Sequence, residues 1–287
     1  MAALILKTGS FAAKPLFIAI AVAATLSAYV YSTKLVKALP RSKAAEQINV
    51  AISPAVQIPL AGGDPFLAAN LAVFRATMVS VQDLNPADYP ILAKVQDDAS
   101  RLNPSQEDNY YIAQGILPWV GEYQTAMSIL KRATTARKGD FLPPYMLGFD
   151  HMYFEGKFEE SGHYYRMAAD RVGEKNRDAL LNTAAKFMEK GEDPTNAIQF
   201  IEGLIKSTRN KGLQQFLQAR IVRLERLIIL REAAERYKKQ FNKPPGDLND
   251  LLKSGILKDL PTDPLGVGYR VDEHGVPQIV FQIRRFQ

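Results

Sequence analysis

The sequence predicts a mainly α protein with an N-terminal transmembrane helix, an α-solenoid of paired helices, one long helix and a small C-terminal β-hairpin. Three observations predict it. A run of 19 uncharged residues lies between Lys14 and Lys34. Glycines recur 35 residues apart, at Gly121, Gly156 and Gly191. Almost nothing before residue 267 alternates apolar and polar side chains as a strand does.

The uncharged run, residues 15–33, reads PLFIAIAVAATLSAYVYST. As a helix it spans roughly 28 Å, close to the ~30 Å hydrocarbon core of a bilayer. Tyr29 and Tyr31 stand at its end, where amphipathic rings favour the membrane–water interface. A cleaved signal peptide is the rival reading. Its apolar stretch usually runs ~7–15 residues, and the best small-residue site here, Leu26-Ser27-Ala28, opens on a bulky side chain. Residues 1–37 are expected to be an uncleaved single-pass anchor in a bacterial inner membrane. Lys7 and Lys14 precede the span, whereas Lys34, Lys37, Arg41 and Lys43 follow it. Counted alone, that balance places the soluble part in the cytoplasm. A short tail, one span and then a folded domain is the layout of an export anchor, and the periplasm is the side expected.

The chain has no cysteine, which excludes disulfides, thiol catalysis, Cys-ligated zinc, iron–sulfur clusters and a lipidated cysteine. Of the net charge of +6, the basic surplus falls from Lys206 to Gln287, with 16 Lys/Arg against 9 Asp/Glu. Acids are interleaved with the bases there, so they solvate a helix, and nucleic acid is not expected as a partner.

Residues 38–63 hold Pro40, Pro54, Pro59, Gly62 and Gly63 with little helical periodicity, and read as a linker. Residues 64–208 carry the helix pairs. Asp64-Pro65 opens the first soluble helix as N-cap and first helical residue, and Leu67, Leu71, Phe74 and Met78 form its apolar face. Asn85-Pro86, Asn103-Pro104 and Ser105-Gln-Glu-Asp mark further starts. Pro118 interrupts one helix, and Phe141-Leu-Pro-Pro144 lengthens one connection. Gly121-Glu-Tyr123-Gln-Thr-Ala126 aligns with Gly156-Lys-Phe158-Glu-Glu-Ser161, then Leu130 and Ala133 with Tyr165 and Ala168. A third unit slips by one residue and opens at Asp193-Pro194, continuing through Ala197, Ile201 and Leu204.

These positions resemble the tetratricopeptide repeat, which has a glycine and an aromatic at the turn, then small and apolar residues on the second helix. The resemblance covers residues 105–208, with 64–103 a degenerate pair. The glycine is expected to supply a left-handed cap, Ala126 or Ser161 a close helix approach, and Tyr123 or Phe158 the wedge beside it. Such arrays grip extended peptides or helices on the concave side. By register this points to Asp108, Tyr111, Met146, Asp150 and Tyr153, with Trp119 near the rim, as partner-binding residues.

Residues 209–287 begin with a long apolar-faced helix, Lys211 to about Asn242, stopped by Pro244-Pro245-Gly246. A short helix over 247–254 follows, then strand-like runs Tyr269–Val271 and Gln278–Ile283 around Asp272-Glu-His-Gly275. Ala233, Ala234, Tyr237, Phe241, Pro245, Leu248, Leu251, Gly255, Leu257, Leu260, Pro261, Asp263, Pro264, Gly266 and Tyr269 resemble the globular part of type II secretion pseudopilins. Leu265 replaces that family's usual aromatic. The family's calcium loop and its N-terminal cleavage motif have no counterpart here, so the chain is not expected to be a pilin subunit itself. A generic cap over the open end of the array is the competing reading.

No serine-hydrolase elbow, phosphate-binding glycine loop or HExxH is present. The pairs Asp97-Asp98 and Glu159-Glu160 read as solvated helix faces, and His163 with Glu159 as a surface pair. No catalytic residue, metal or cofactor is expected. The expected function is a membrane-anchored scaffold for protein–protein interaction, in assembly of an envelope complex. The pseudopilin resemblance implies a type IV pilus or type II secretion system. The alternative is an accessory subunit of a membrane enzyme complex. Either way the expected partners are proteins of a membrane-associated complex, together with the lipid bilayer around 15–33.

Overall fold

The computed structural model describes residues 13–38, 50–78 and 84–281. The chain divides into two units, Met1–Gln47 and Ile48–Gln287. In the first, helix α1 runs Ala13–Ala38. Its stretch Phe17–Leu35, of mean hydropathy 1.4, is long and apolar enough to cross a membrane. The hydroxyls of Thr25, Ser32 and Thr33 donate to the carbonyls of Ala21, Tyr29 and Val30 in the preceding turn. They are thereby satisfied within the helix.

The second unit is built from α2 (Pro54–Leu60), α3 (Pro65–Thr77), α4 (Tyr89–Leu102), α5 (Glu107–Ile116), α6 (Tyr123–Ala136), α7 (Leu142–Phe154), α8 (Phe158–Ala169), α9 (Glu174–Met188), α10 (Pro194–Ser207), α11 (Lys211–Phe241) and α12 (Leu248–Lys253). An antiparallel pair closes it, β1 (Tyr269–Val271) on β2 (Pro277–Ile279), with Tyr269 opposite Ile279. Each helix packs mainly on its sequence neighbours, α6 on α7, α7 on α8, α8 on α9 and α10 on α11. Side-chain hydrogen bonds join successive pairs at near-constant spacing: Gln114 to Asp150 over 36 residues, Arg132 to Asp97 over 35 and Asn196 to Glu159 over 37. One apolar core lies under α3–α7, and a second joins α8–α11 to β2.

Close approach is enforced by small side chains. A Cβ on Gly148 would lie 2.8 Å from the Tyr165 ring, and Ser161 of α8 donates to the Gly148 carbonyl at 2.6 Å. Gly121 and Gly156 adopt φ of 93° and 65° at their turns, the left-handed region that costs glycine least. Gly191 does not. There the chain turns without a left-handed residue, and the Glu159 side chain lies against the glycine instead.

Other expectations are corrected. The predicted linker contains α2, whose N-cap is Ser53 and whose interior holds Pro59; residues 39–49 lie outside the described residues. On α3, Ala68, Ala69, Ala72, Val73 and Ala76 are buried, while Leu67, Leu71, Phe74 and Met78 are exposed. The alanine face permits the closer approach to α4, so the expected apolar face is the outer one. Pro143 and Pro144 fall in the first turn of α7 rather than in a connection, where a missing N–H is harmless. Asp97 and Asp98 pair with Arg132, Arg101 and Lys94, and Asp98 is buried. The second predicted strand ends at Ile279, and its residues 282–283 lie outside the described residues.

The C-terminal segment is locked onto α11 by charge. Asp263 accepts from Arg223 Nε and Nη2 at 2.8 and 2.6 Å. It also accepts from the backbone amides of Leu265, Val267 and Gly268 at 2.9, 2.9 and 2.7 Å. Burial alone would raise the Asp263 pKa, but the Arg223 hydrogen bonds and the Gly268 and Leu265 amides hold it well below the usual carboxylate range. Tyr269 donates its hydroxyl to the Arg223 carbonyl at 2.9 Å. Behind this pair, buried Glu189 of the α9 C-cap contacts Arg220, with Arg223 at 3.8 Å.

Candidate functional site

Five aromatic rings converge where α5, α6 and α7 meet. After Ile116 the chain tightens into a 3-10 turn, Leu117–Val120, because Pro118 cannot continue the helix with its own N–H. That turn lifts Trp119 out of the core, leaving it 57% exposed. Gly121 then reverses the chain and starts α6 at Tyr123. From α7 come Phe149, Tyr153 and Phe154. Phe149 and Tyr153 are four residues apart on one helical face and stack at 5.3 Å and 13°. Trp119 lies 5.6 Å from both Tyr153 and Phe154, and Tyr123 stacks on Phe154 at 5.5 Å and 12°. Tyr153 is also 57% exposed, so the cluster has a solvent-facing edge and a half-buried base.

A polar strut fixes the base. Glu155 accepts from Gln124 Nε2 at 3.0 Å, meets His151 Nδ1 at 2.8 Å and pairs with Lys157 at 3.1 Å. Burial would raise the Glu155 pKa; the hydrogen bonds from Gln124, Lys157 and His151 outweigh it and hold the group below its ordinary value. The Gln124–Glu155 bond therefore ties the start of α6 to the end of α7 beside the Tyr123–Phe154 stack. His151 lies flat on the Tyr164 ring at 5.2 Å, and burial lowers its pKa despite Glu155.

The six residues expected at the groove separate into three groups. Trp119 and Tyr153 are brought together in this cluster. Asp108 and Tyr111 are exposed on α5, where Tyr111 makes none of the cluster's ring contacts. Asp150 is closed to a partner, and Met146 is only partly exposed. Asp150 is fully buried and accepts from Gln114 Nε2 at 2.6 Å, while Met146 packs against the core. Gln114 of α5 meets α7 at that level, whereas Tyr153, one turn further on, is exposed. Burial pushes the Asp150 pKa up to about 7, with the Gln114 bond opposing it.

No family model, curated protein or solved structure matches this chain. What the cluster can do follows from its geometry. It offers large, rigid apolar area with few rotatable bonds, and polar tips on Trp119 and Tyr153, which suits capture of an apolar side chain with little ordering entropy. Clustered exposed aromatics mark interaction surfaces on proteins that otherwise bury them.

Tyr123, Phe149 and Phe154 were not among the expected partner-binding residues. The i, i+4 pair Phe149/Tyr153 was the signal for them, masked because aromatics at such spacing also build cores. Among the described residues, no three His, Asp or Glu groups come together in a way that would hold a metal ion. A polar cleft between α9 and α10 is lined by Arg177, Asp178, Thr208 and Asn210. These four are paired among the cleft's own groups: Arg177 donates to the Ser207 carbonyl, and Thr208 and Asn210 donate to Asp178.

Proposed function

We propose that this chain is a membrane-anchored scaffold that holds a protein partner on the aromatic cluster of Trp119, Tyr123, Phe149, Tyr153 and Phe154. The observation that carries the reading is the exposed edge of that cluster, two aromatic rings each 57% exposed over a pinned base. Helix α1 is the anchor, crossing a bacterial inner membrane once, with the folded unit on the periplasmic side. Tethering raises the effective concentration of the cluster beside any partner in the same bilayer. The occupant is an apolar helix or extended segment of a membrane-complex subunit, which inserts a large side chain against Trp119 and Tyr153. The tetratricopeptide-like spacing supports the array reading. The pseudopilin-like residues around Asp263 and Pro264 support a complex of the type IV pilus or type II secretion kind.

A photo-crosslinking amino acid at Tyr153, compared with one at exposed Lys138, tests this in cells expressing the full chain. Adducts formed at Tyr153 and absent at Lys138, containing a pilus or secretion component, support the reading. An adduct with a membrane enzyme moves the function to an accessory subunit, and equal labelling at both sites removes the cluster as a site. Reporter fusions after Gln287 test orientation: periplasmic activity is expected, and cytoplasmic activity would reverse it.

A further inference from the structure

Residues 50–78 form a nearly uncharged stretch of the folded unit. Over these 29 residues the only ionisable side chains are Asp64 and Arg75. Both are occupied, Asp64 capping α3 through the Phe66 and Leu67 amides and Arg75 holding the Val50 carbonyl. On the outer face of α3, Leu67, Leu71, Phe74 and Met78 follow at spacings of four, three and four, a single stripe along the helix. They are 44%, 54%, 63% and 63% exposed. Val56 and Leu60 of α2 add to the apolar surface, at 50% and 75% exposed. The opposite, alanine-rich face already packs against the fold, so the stripe is free to meet something else.

We propose that this stripe lies in the headgroup–acyl boundary of the bilayer that α1 crosses. The inference rests on the reading of α1 as a membrane anchor. Eleven residues, 39–49, join Ala38 to Val50. Even fully extended, they keep Val50 within about 40 Å of the helix end. The tether therefore leaves the membrane surface within reach of the folded unit. Lys34, Lys37, Arg41 and Lys43, directly after the span in sequence, favour an anionic headgroup layer on the side where the folded unit lies. With the alanine face buried in the fold, the exposed stripe of Leu, Phe and Met carries no charged side chain of its own to keep in water, and apolar area of this kind is what inserts at the boundary. In this arrangement α3 fixes the folded unit against the bilayer as a second contact, beyond the tether.

The chain has no cysteine, so one introduced thiol is its only labelling site. Single variants Leu71→Cys and Phe74→Cys are labelled with an environment-sensitive fluorophore, in the full chain reconstituted in anionic phospholipid nanodiscs. Val22→Cys on α1 reports the anchor, and exposed Lys138→Cys reports solvent. The expected result is that a nitroxide at the top of the lipid acyl chains quenches most of the emission at 71 and 74. It leaves 138 unaffected, while a water-soluble quencher acts at 138 only and a deep nitroxide quenches at 22. If 22 is quenched in the bilayer while 71 and 74 respond to the aqueous quencher like 138, the proposal fails and the anchor stands. Shielding of 71 and 74 from both quenchers means that protein covers the stripe, a second copy included, and overturns it equally. Failure of lipid quenching at 22 overturns both the anchor and the proposal.

Discussion

Replacing Asp263 with asparagine keeps the side-chain shape and removes the charge that five donors converge on. Oδ1 takes Arg223 Nε and the Leu265 amide; Oδ2 takes Arg223 Nη2 and the amides of Val267 and Gly268. Whichever way the new amide sits, its NH2 faces at least two of these donors. Side-chain exposure is 4% at Arg223 and 1% at Asp263, so water cannot replace the lost acceptor. Removing the carboxylate from a buried arginine belongs to the ~3–5 kcal/mol class, a figure that already contains the cost of the one or two backbone donors left unmet. Glu189, 3.8 Å from Arg223, offsets part of this, so the expected loss is about 3–5 kcal/mol in all. For a folded unit of this size that lowers Tm by about 6–20 °C. Circular-dichroism melts of the full chain in nanodiscs measure the loss, and amide exchange at Tyr269–Val271 localises it, because helical arrays do not always unfold in one step. The pH dependence has a definite sign. A carboxyl held below its unfolded value contributes fully above about pH 4 and loses that contribution as pH falls further. The gap between wild type and Asp263→Asn should therefore narrow only below about pH 4. A loss under about 1 kcal/mol, or unchanged exchange in the hairpin, refutes the lock.

Asp150→Asn should stabilise the protein at pH 8, because burial has raised the carboxyl to about 7 and ionising it there costs free energy. The gain should be at most about 4 kcal/mol, shrink as pH falls through 7 and vanish towards about 4. Urea titrations at several pH values check it, and parallel curves would count against it. Gly148→Ala drives a Cβ to 2.8 Å from the Tyr165 ring and 3.3 Å from the Ser161 carbonyl, with an expected loss of about 1–3 kcal/mol. Gly115→Ala on the exposed side of α5 meets no atom within 4 Å and should gain up to about 1 kcal/mol. Equal effects from the two glycine variants would show that α7 and α8 are not in close contact.

The elements marked by punctuation were legible in the sequence. Asp64-Pro65 and Asp193-Pro194 do cap α3 and α10, the Asp accepting from the helix amides in both. The stop after Phe241 is real too, with Asn242 in the left-handed region at φ 53°. What pattern could not tell was which of two apolar faces a helix buries. On α3 both faces are apolar, and the smaller one wins because alanine lets α4 come nearer. Nor could register tell a groove from a contact. Asp150 and Tyr153 lie three residues apart on α7, yet the first is buried with Gln114 bonded to it and the second stays open. The aromatic cluster was half legible, because Trp119 reaches it through a turn whose direction depends on Pro118 and Gly121 together.

The most direct test of the scaffold reading is quantitative co-purification of the full chain from crosslinked membranes, comparing wild type with Trp119→Ala plus Tyr153→Ala. Both rings are more than half exposed, so Tm should fall by no more than about 5 °C. Loss of the membrane-complex partners with that small change in Tm is the expected result, whereas Tyr111→Ala, outside the cluster, should leave them in place. Retention of the same partners by the double variant would contradict the scaffold reading, as would a loss matched by a large fall in Tm.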